Sequence, residues 1–171
     1  YFLLSCFLLT LLMHLFLGFP LRSVFKDIGG MNYMFWMVPG IIIILSSLMV
    51  YFVTLTNINN LLALPKSIDI ICKTPIANWQ VLAGLVCWGS TIGIIQWILS
   101  LAVTSVLNNE FYQFLINIRL AIQSIIIIPF FAVLAIFTHL ISNNRFWIMT
   151  SSLFYFITLS FGFGCLIPLN T

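Results

Sequence analysis

The chain has 171 residues, of which 63% are hydrophobic and only 5% are charged. A soluble domain carries roughly a quarter charged residues to solvate its surface, so this composition excludes a water-exposed globule. The net charge of +3 is dispersed, without a run of Lys and Arg, which argues against a nucleic-acid partner. Composition therefore predicts a protein that is solvated by the lipid bilayer.

Apolar runs recur along the chain, and the connectors between them hold nearly all the charge. Each run can cross a hydrocarbon core of about 30 Å as an α-helix. Backbone N–H and C=O groups inside lipid must form hydrogen bonds within the protein, so the spans are predicted to be helices. The sequence does not show the alternating segments of about ten residues that a membrane barrel requires. We predict one all-α transmembrane domain over residues 1–171, a polytopic helical bundle. Its five spans are residues 1–19, 33–55, 79–107, 118–141 and 146–167.

Glycine and proline mark special positions within these spans. The first span is expected to end at residues 18–20, Gly-Phe-Pro. In the third span, Gly89 and Gly93 form a Gly-x-x-x-Gly pattern that permits close helix packing, inside the protein rather than between copies. Pro129 is expected to kink the fourth span.

The polar groups within the spans are few and scattered. His14, Gln96, Gln123 and His139 are expected to face the protein interior as structural groups. The four cysteines never form Cys-x-x-Cys, so no metal or redox site is predicted. Paired carboxylates within the spans and known hydrolase patterns are missing from the sequence, so no catalytic or cofactor-binding residues are predicted. A buried polar cluster would revive the hypothesis of a membrane enzyme.

The connector over residues 57–78 is too long for a tight turn and too apolar for a disordered linker. Asp69 and Lys73 suit the first and last turns of a short helix. Its apolar face, at spacing i, i+3, i+4, consists of Ile68, Ile71 and Cys72. The pattern predicts a short amphipathic helix over residues 67–76. Such a helix lies along the membrane, docks into a partner or only joins two spans.

Three motifs occur in a fixed order along the hydropathy profile. Val38-Pro39-Gly40 opens the second span, Thr74-Pro75 lies at the end of the amphipathic segment, and Ile167-Pro168-Leu169 closes the fifth span. In this order and spacing the chain resembles the membrane subunit of ABC-2 type exporters from about Met31 to Leu169. It departs from the family at residues 56–60, where a Glu-rich stretch is usual, and at Leu85, where Lys is common.

The resemblance implies a permease that moves a hydrophobic or amphipathic substrate, such as a drug, lipid or lipid-linked glycan, by alternating access. A partner or fused ATPase would bind the ATP and Mg, since this chain lacks a phosphate-binding loop. The amphipathic segment would be the coupling helix that docks into a groove on that ATPase. The residues expected at this contact are Ile68, Asp69, Ile71, Cys72 and Lys73.

The resemblance also implies a dimer with a second permease copy and a sixth span after Thr171. Lys and Arg are equally frequent on both sides, so charge does not orient the chain. The family places connectors 57–78 and 142–145 in the cytoplasm, in a bacterial inner membrane or an organellar one. A haem-exporter B-type permease, a structural subunit of a membrane complex and, last, a membrane enzyme remain the alternatives.

Overall fold

The computed structural model describes residues 2–25, 27–28, 31–63, 73, 75, 77–108, 113–141 and 144–162. Helices form almost all of this part. In chain order they are α1 (Phe2–Met13), the π-helical turn π1 (His14–Gly18), α2 (Phe19–Val24), α3 (Tyr33–Ala63), α4 (Asn78–Asn108), α5 (Gln113–Ile141), α6 (Arg145–Ile157) and the π-helical turn π2 (Thr158–Gly162). Between α2 and α3, two short strands, β1 (Asp27–Ile28) and β2 (Met31–Asn32), pair antiparallel. The sequence did not predict this strand pair.

Four stretches in the described part of the chain are long and apolar enough to cross a membrane. They are Leu3–Val24, Met37–Ala63, Trp79–Leu107 and Ser124–Ile141. A further apolar stretch, Phe146–Phe161, is shorter. The chain is therefore a helical membrane protein, as predicted, and the crossing of its fifth stretch stays a prediction.

The central helix of the bundle is α3. Of its membrane-spanning window 67% is buried inside the protein, against 22%, 28% and 33% for the other three windows. The buried apolar core lies mainly on α3 and is completed by residues of α5 and π2. The other helices turn most of their apolar surface outward, which is stable in lipid because acyl chains are as apolar as leucine.

Aromatic side chains join α3 to α5 and α6. The ring of Tyr51 packs edge-on against that of Tyr155, with centroids 5.3 Å apart, and Tyr155 packs likewise against Phe131 at 6.0 Å. Edge-to-face pairs of this kind are favourable beyond the area they bury. The Tyr51 hydroxyl also forms a 2.8 Å hydrogen bond with Ser151 Oγ. These contacts fix α6 against the central helix.

Helix α4 runs antiparallel to α3. Gly89 lies beside Thr54, whereas Gly93, one turn further along α4, lies beside Val50 and the backbone of Ser46. Residue numbers thus rise along one helix as they fall along the other. The two helices form a hairpin whose connector lies at the end where α3 finishes.

Helix α1 runs parallel to α4. Gln96 contacts the carbonyl of Cys6, and one turn further along both helices Ser100 contacts Thr10. Helix α3 therefore runs antiparallel to both α1 and α4. Successive spans thus alternate in direction, as short connectors between spans predict.

The predicted end of the first span at residues 18–20 is wrong, because the helix continues through Pro20 to Val24. The preceding turn, π1, widens the backbone, so the N–H of Phe19 donates to the His14 carbonyl five residues back. Pro20 then lies in the first turn of α2, where a missing N–H costs little. A local π-turn thus accommodates a proline that normally stops a helix.

Helix α3 continues past Leu55, the predicted end of the second span, to Ala63. Asn57, Asn59 and Asn60 made this stretch look like a connector. A helix that is already nucleated adds residues cheaply, so the polar turns remain helical after the chain leaves the hydrocarbon.

Two prolines lie inside long helices without ending them: Pro39 in α3 and Pro129 in α5. Each lacks the N–H that would bond one turn back. Packing against neighbouring helices compensates for such a loss in membranes. Because α5 remains one helix from Gln113 to Ile141, a kink at Pro129 stays a prediction.

Candidate functional site

The segment predicted to contact an ATPase lies largely outside the described residues. This holds for Ile68, Asp69, Ile71 and Cys72. Lys73 is described, and its side chain is exposed. The amphipathic helix itself stays a prediction, but the structure describes the two helix ends that hold it.

These ends, residues 57–63 of α3 and 78–88 of α4, are here called the α3–α4 tip. Each helix has 31 residues, or about 46 Å at 1.5 Å per residue, which exceeds a hydrocarbon core of about 30 Å. The polar Asn57 and Asn60 lie at this end of α3. An open groove of about 460 Å³ runs along the tip, lined by Asn57, Asn60, Leu61, Val81, Gly84, Leu85 and Trp88.

A side-chain cap fixes the point where α4 begins. Gln80 Oε1 accepts a hydrogen bond of 3.0 Å from the N–H of Ala77, and the N–H of Gln80 donates to the Ala77 carbonyl at 2.9 Å. This is half of a capping box, in which a Gln in the first turn satisfies the backbone of the residue before the helix. The connector therefore enters α4 at a defined point.

Close helix contact makes the hairpin behind the tip stiff. A Cβ on Gly89 would overlap Thr54 Oγ1, and a Cβ on Gly93 would overlap Val50 Cγ2 and approach Ile128 Cγ2 to 3.0 Å. Gly84, nearer the tip, has open space around it. The predicted glycine pair thus lies at the internal contact between α3 and α4, where movement of one helix must carry the other.

A second polar arrangement lies between α1 and α4, and we call it the α1–α4 seam. It consists of Thr10 and His14 on the first span and Gln96, Ser100 and Thr104 on α4. All five side chains are buried, with at most 3% of their surface exposed.

Hydrogen bonds connect the two sides of the seam. Gln96 Nε2 donates to Thr10 Oγ1 and Ser100 Oγ, both at 3.0 Å, and Thr10 Oγ1 lies 3.0 Å from Ser100 Oγ. Thr10 Oγ1 also donates to the Cys6 carbonyl at 3.0 Å. The seam therefore joins a largely lipid-exposed helix to the bundle through polar contacts.

His14 continues the seam at the start of π1. Its Nδ1 lies 3.0 Å from the carbonyl oxygen of Thr10, while its Nε2 is buried without a hydrogen-bond partner in the described residues. Gln96 Oε1 is buried without one in the same way.

Comparison with protein-family models, with curated proteins and with solved structures found no match for this chain. A functional assignment therefore depends on its own residues. Three features carry that argument: the tip, the close contact behind it and the seam.

His139, another polar residue predicted in the spans, lies on α5 and not on the two helices that form the seam. His139 is half-buried near the end of α5, and its Nδ1 has no partner within the described part of the chain. The side chain of Gln123 lies outside the described residues. Cys6 is buried and Cys87 exposed, both as free thiols. The described ranges contain no group of His, Cys, Asp and Glu suited to a metal ion.

Sequence reasoning singled out His14 and Gln96 but missed Thr10, Ser100 and Thr104. A signal was present, because residues 6, 10 and 14 and residues 96, 100 and 104 are spaced by four and so share one face of each helix. Serine and threonine are common in membrane helices, where they bond their own backbone, so spacing alone does not single them out.

Proposed function

We propose that this chain is the membrane-spanning permease subunit of an ATP-driven exporter of the ABC-2 type. A partner ATPase supplies the energy, and the substrate is hydrophobic or amphipathic. One observation supports the proposal: α3 and α4 each have 31 residues, more than a hydrocarbon core requires, and an open groove lies at the end where the connector joins them.

The stiffness of the hairpin supports a lever mechanism. An ATPase that pushes on the segment between Ala63 and Asn78 would move both helix ends together. Because Gly89 and Gly93 allow no gap between α3 and α4, the displacement would pass along the hairpin into the central helix. Switching between inward- and outward-facing states requires such transmission between two packed arrangements.

The proposal also assigns sides and location. The tip faces the ATPase in the cytoplasm, α6 starts from the same side, and the strand pair β1–β2 lies on the outer side. A second permease copy and a bacterial inner or an organellar membrane complete the arrangement, as in the family that the sequence resembles.

A membrane enzyme is the competing hypothesis that a buried polar cluster favours. Nucleophilic catalysis needs a hydroxyl within hydrogen-bond reach of a base. In the seam, the hydroxyls of Thr10 and Ser100 bond each other and Gln96, whereas His14 bonds a main-chain carbonyl. The described geometry therefore favours a binding or packing role over catalysis.

Disulfide or bismaleimide crosslinking tests the exporter proposal. Single cysteines are placed along the segment in a background without the other native cysteines, and the membranes are probed for adducts with an ABC ATPase. The positions are Ile68→Cys, Asp69→Cys, Ile71→Cys, native Cys72 and Lys73→Cys. We expect adducts on the docked face.

Val106→Cys is the matched control, since Val106 is exposed on α4 near its opposite end. The control should give no ATPase adduct. If no position along the segment gives one either, the proposal is wrong, and a structural subunit becomes the better hypothesis.

A further inference from the structure

The α1–α4 seam lies near the middle of the two apolar spans that it joins. Thr10 is close to the midpoint of the span Leu3–Val24, and Gln96 is close to the midpoint of Trp79–Leu107. Polar groups at this depth are costly unless they are paired or serve a function. Both groups that lack partners in the seam belong to side chains with at most 2% exposure.

The unpaired atom of Gln96 is a hydrogen-bond acceptor. The structure places the NH₂ of Gln96 3.0 Å from Thr10 Oγ1 and Ser100 Oγ, and 3.4 Å from the Cys6 carbonyl. In this orientation Oε1 is buried and has no hydrogen-bond partner among the described residues.

The unpaired atom of His14 is an acceptor as well. Nδ1 faces the Thr10 carbonyl, which only accepts, so Nδ1 carries the proton. In a neutral imidazole this leaves a lone pair on Nε2, which has no partner among the described residues. The π-turn begins at this residue, and such turns occur frequently at functional sites.

Two buried acceptors call for a ligand that donates hydrogen bonds, and that ligand should be neutral. The three acidic residues of the chain, Asp27, Asp69 and Glu110, all lie in connectors. A metal ion or ammonium group in the seam would meet no acidic side chain of α1 or α4, and an unpaired charge between apolar helices is strongly unfavourable. A hydroxyl group donates without bringing charge.

The seam can be reached from the bilayer if α1 moves, because α1 forms one side of it. The outer side of α1 exposes large apolar side chains to lipid, with Leu4 66% and Leu8 53% exposed. Helix α1 is held to α4 by hydrogen bonds between hydroxyl and amide groups. Hydroxyls of an incoming molecule can replace these bonds one for one.

We propose that the α1–α4 seam is a binding site near the membrane midplane for the neutral, hydroxyl-bearing headgroup of a lipid. The headgroup enters from the bilayer as α1 separates from α4, and the acyl chains remain in the hydrocarbon. This inference rests on the proposed export function and narrows its substrate to a neutral glycolipid, of which a glycosyl-diacylglycerol is the simplest form.

Photolabelling with two matched lipids tests the site. The first is monoglucosyl-diacylglycerol with a diazirine on the sugar, and the second is the same lipid with its sugar hydroxyls methylated, which removes the donors. The full chain is labelled in its own membranes, and adducts are mapped by mass spectrometry. We expect the hydroxyl lipid alone to label peptides that contain Thr10–His14 and Gln96–Ser100.

Gln96→Leu and His14→Leu each remove one acceptor, and together they should lower labelling of the seam by roughly fivefold to tenfold. Thr91→Val is the control, since the exposed Thr91 hydroxyl bonds only its own helix. Gln96→Leu leaves the bond between Thr10 and Ser100 in place, and a melting curve checks that each variant folds.

Equal labelling of the seam by both lipids would overturn the proposed site. No labelling of the seam would overturn it as well, and this is the result expected if only water fills it. ATP-driven movement of the lipid is measured separately in vesicles that contain the ATPase. Hydroxyl-selective labelling without ATP-driven movement would uphold the seam but contradict the exporter. ATP-driven export with an unlabelled seam would support the exporter but contradict the binding site in the seam.

Discussion

Gly93 of α4 lies so close to Val50 of α3 that a Cβ on the glycine would overlap the Cγ2 of the valine. One turn earlier, Gly89 stands in the same relation to the Thr54 hydroxyl, which has no hydrogen-bond partner in the described residues. Lipid tails are as apolar as leucine, so the hydrophobic effect does not drive helices together inside a bilayer. Close van der Waals contacts of this kind stabilise helix pairs there instead. The α3–α4 hairpin owes its stiffness to this pair.

The first prediction concerns the effect of adding a methyl group at these two glycines. Gly93→Ala should destabilise the protein by about 1–3 kcal/mol, since a methyl group there overpacks the contact with Val50 and Ile128. Gly89→Ala should act in the same direction, although rotation of the Thr54 side chain can relieve part of the overlap. Thermal unfolding in detergent measures both.

Gly84→Ala is the control for this series, because Gly84 lies on the same helix with open space around it. It should be neutral or slightly stabilising, since alanine favours a helix over glycine. Equal losses at all three glycines would point to backbone effects and contradict the packing argument.

The second prediction concerns the seam. Thr10→Val keeps the shape of the side chain but removes the hydroxyl that bonds Cys6, Gln96 and Ser100. Polar contacts between membrane helices average about 0.6 kcal/mol and reach about 1.7 kcal/mol, so we expect a loss in this range. The variant should also make α1 easier to detach, which protease protection of the first span reports.

Thr91→Val again provides the comparison, since it deletes an exposed hydroxyl that bonds Cys87 of the same helix. It should leave both stability and protease protection unchanged. If it matches Thr10→Val, the loss reflects a generic valine effect and not the contacts between α1 and α4.

The third prediction concerns the bond between α3 and α6. Ser151 Oγ donates to the Ile148 carbonyl, so the Tyr51 hydroxyl donates to Ser151. Tyr51→Phe should cost about 0.5–1.5 kcal/mol, with the ring contact to Tyr155 retained. Combining it with Ser151→Ala in a double-mutant cycle isolates the pair, and a coupling energy near zero would contradict the bond.

That the chain forms long apolar helices follows from the sequence, because lipid permits few alternatives. Backbone groups must form hydrogen bonds within each span, so length and hydropathy alone predict a helix there. The predicted span 79–107 differs from the observed helix Asn78–Asn108 by one residue at each end. The ends of other spans were harder. Pro20 normally stops a helix, and a π-turn at His14 overrides it.

The seam shows why a candidate site is harder to predict than a span. Thr10 and Ser100 are 90 residues apart, and their meeting depends on the parallel register of α1 and α4. That register is set by packing against α3, which no local pattern encodes. The four-residue spacing shows that each helix has a polar face but does not reveal that the two faces meet.

The last prediction concerns the start of α6. Asn144 is the N-cap of this helix, and its Oδ1 accepts a hydrogen bond of 3.1 Å from the N–H of Phe146. Asn144→Ala removes this acceptor and should destabilise the helix by about 1 kcal/mol. Asn144→Ser keeps a capping oxygen and should retain most of the stability. Hydrogen exchange at the amides of residues 145–148 should therefore accelerate in the Ala variant but not in the Ser variant, and equal exchange in both would show that the cap does not hold the end of α6.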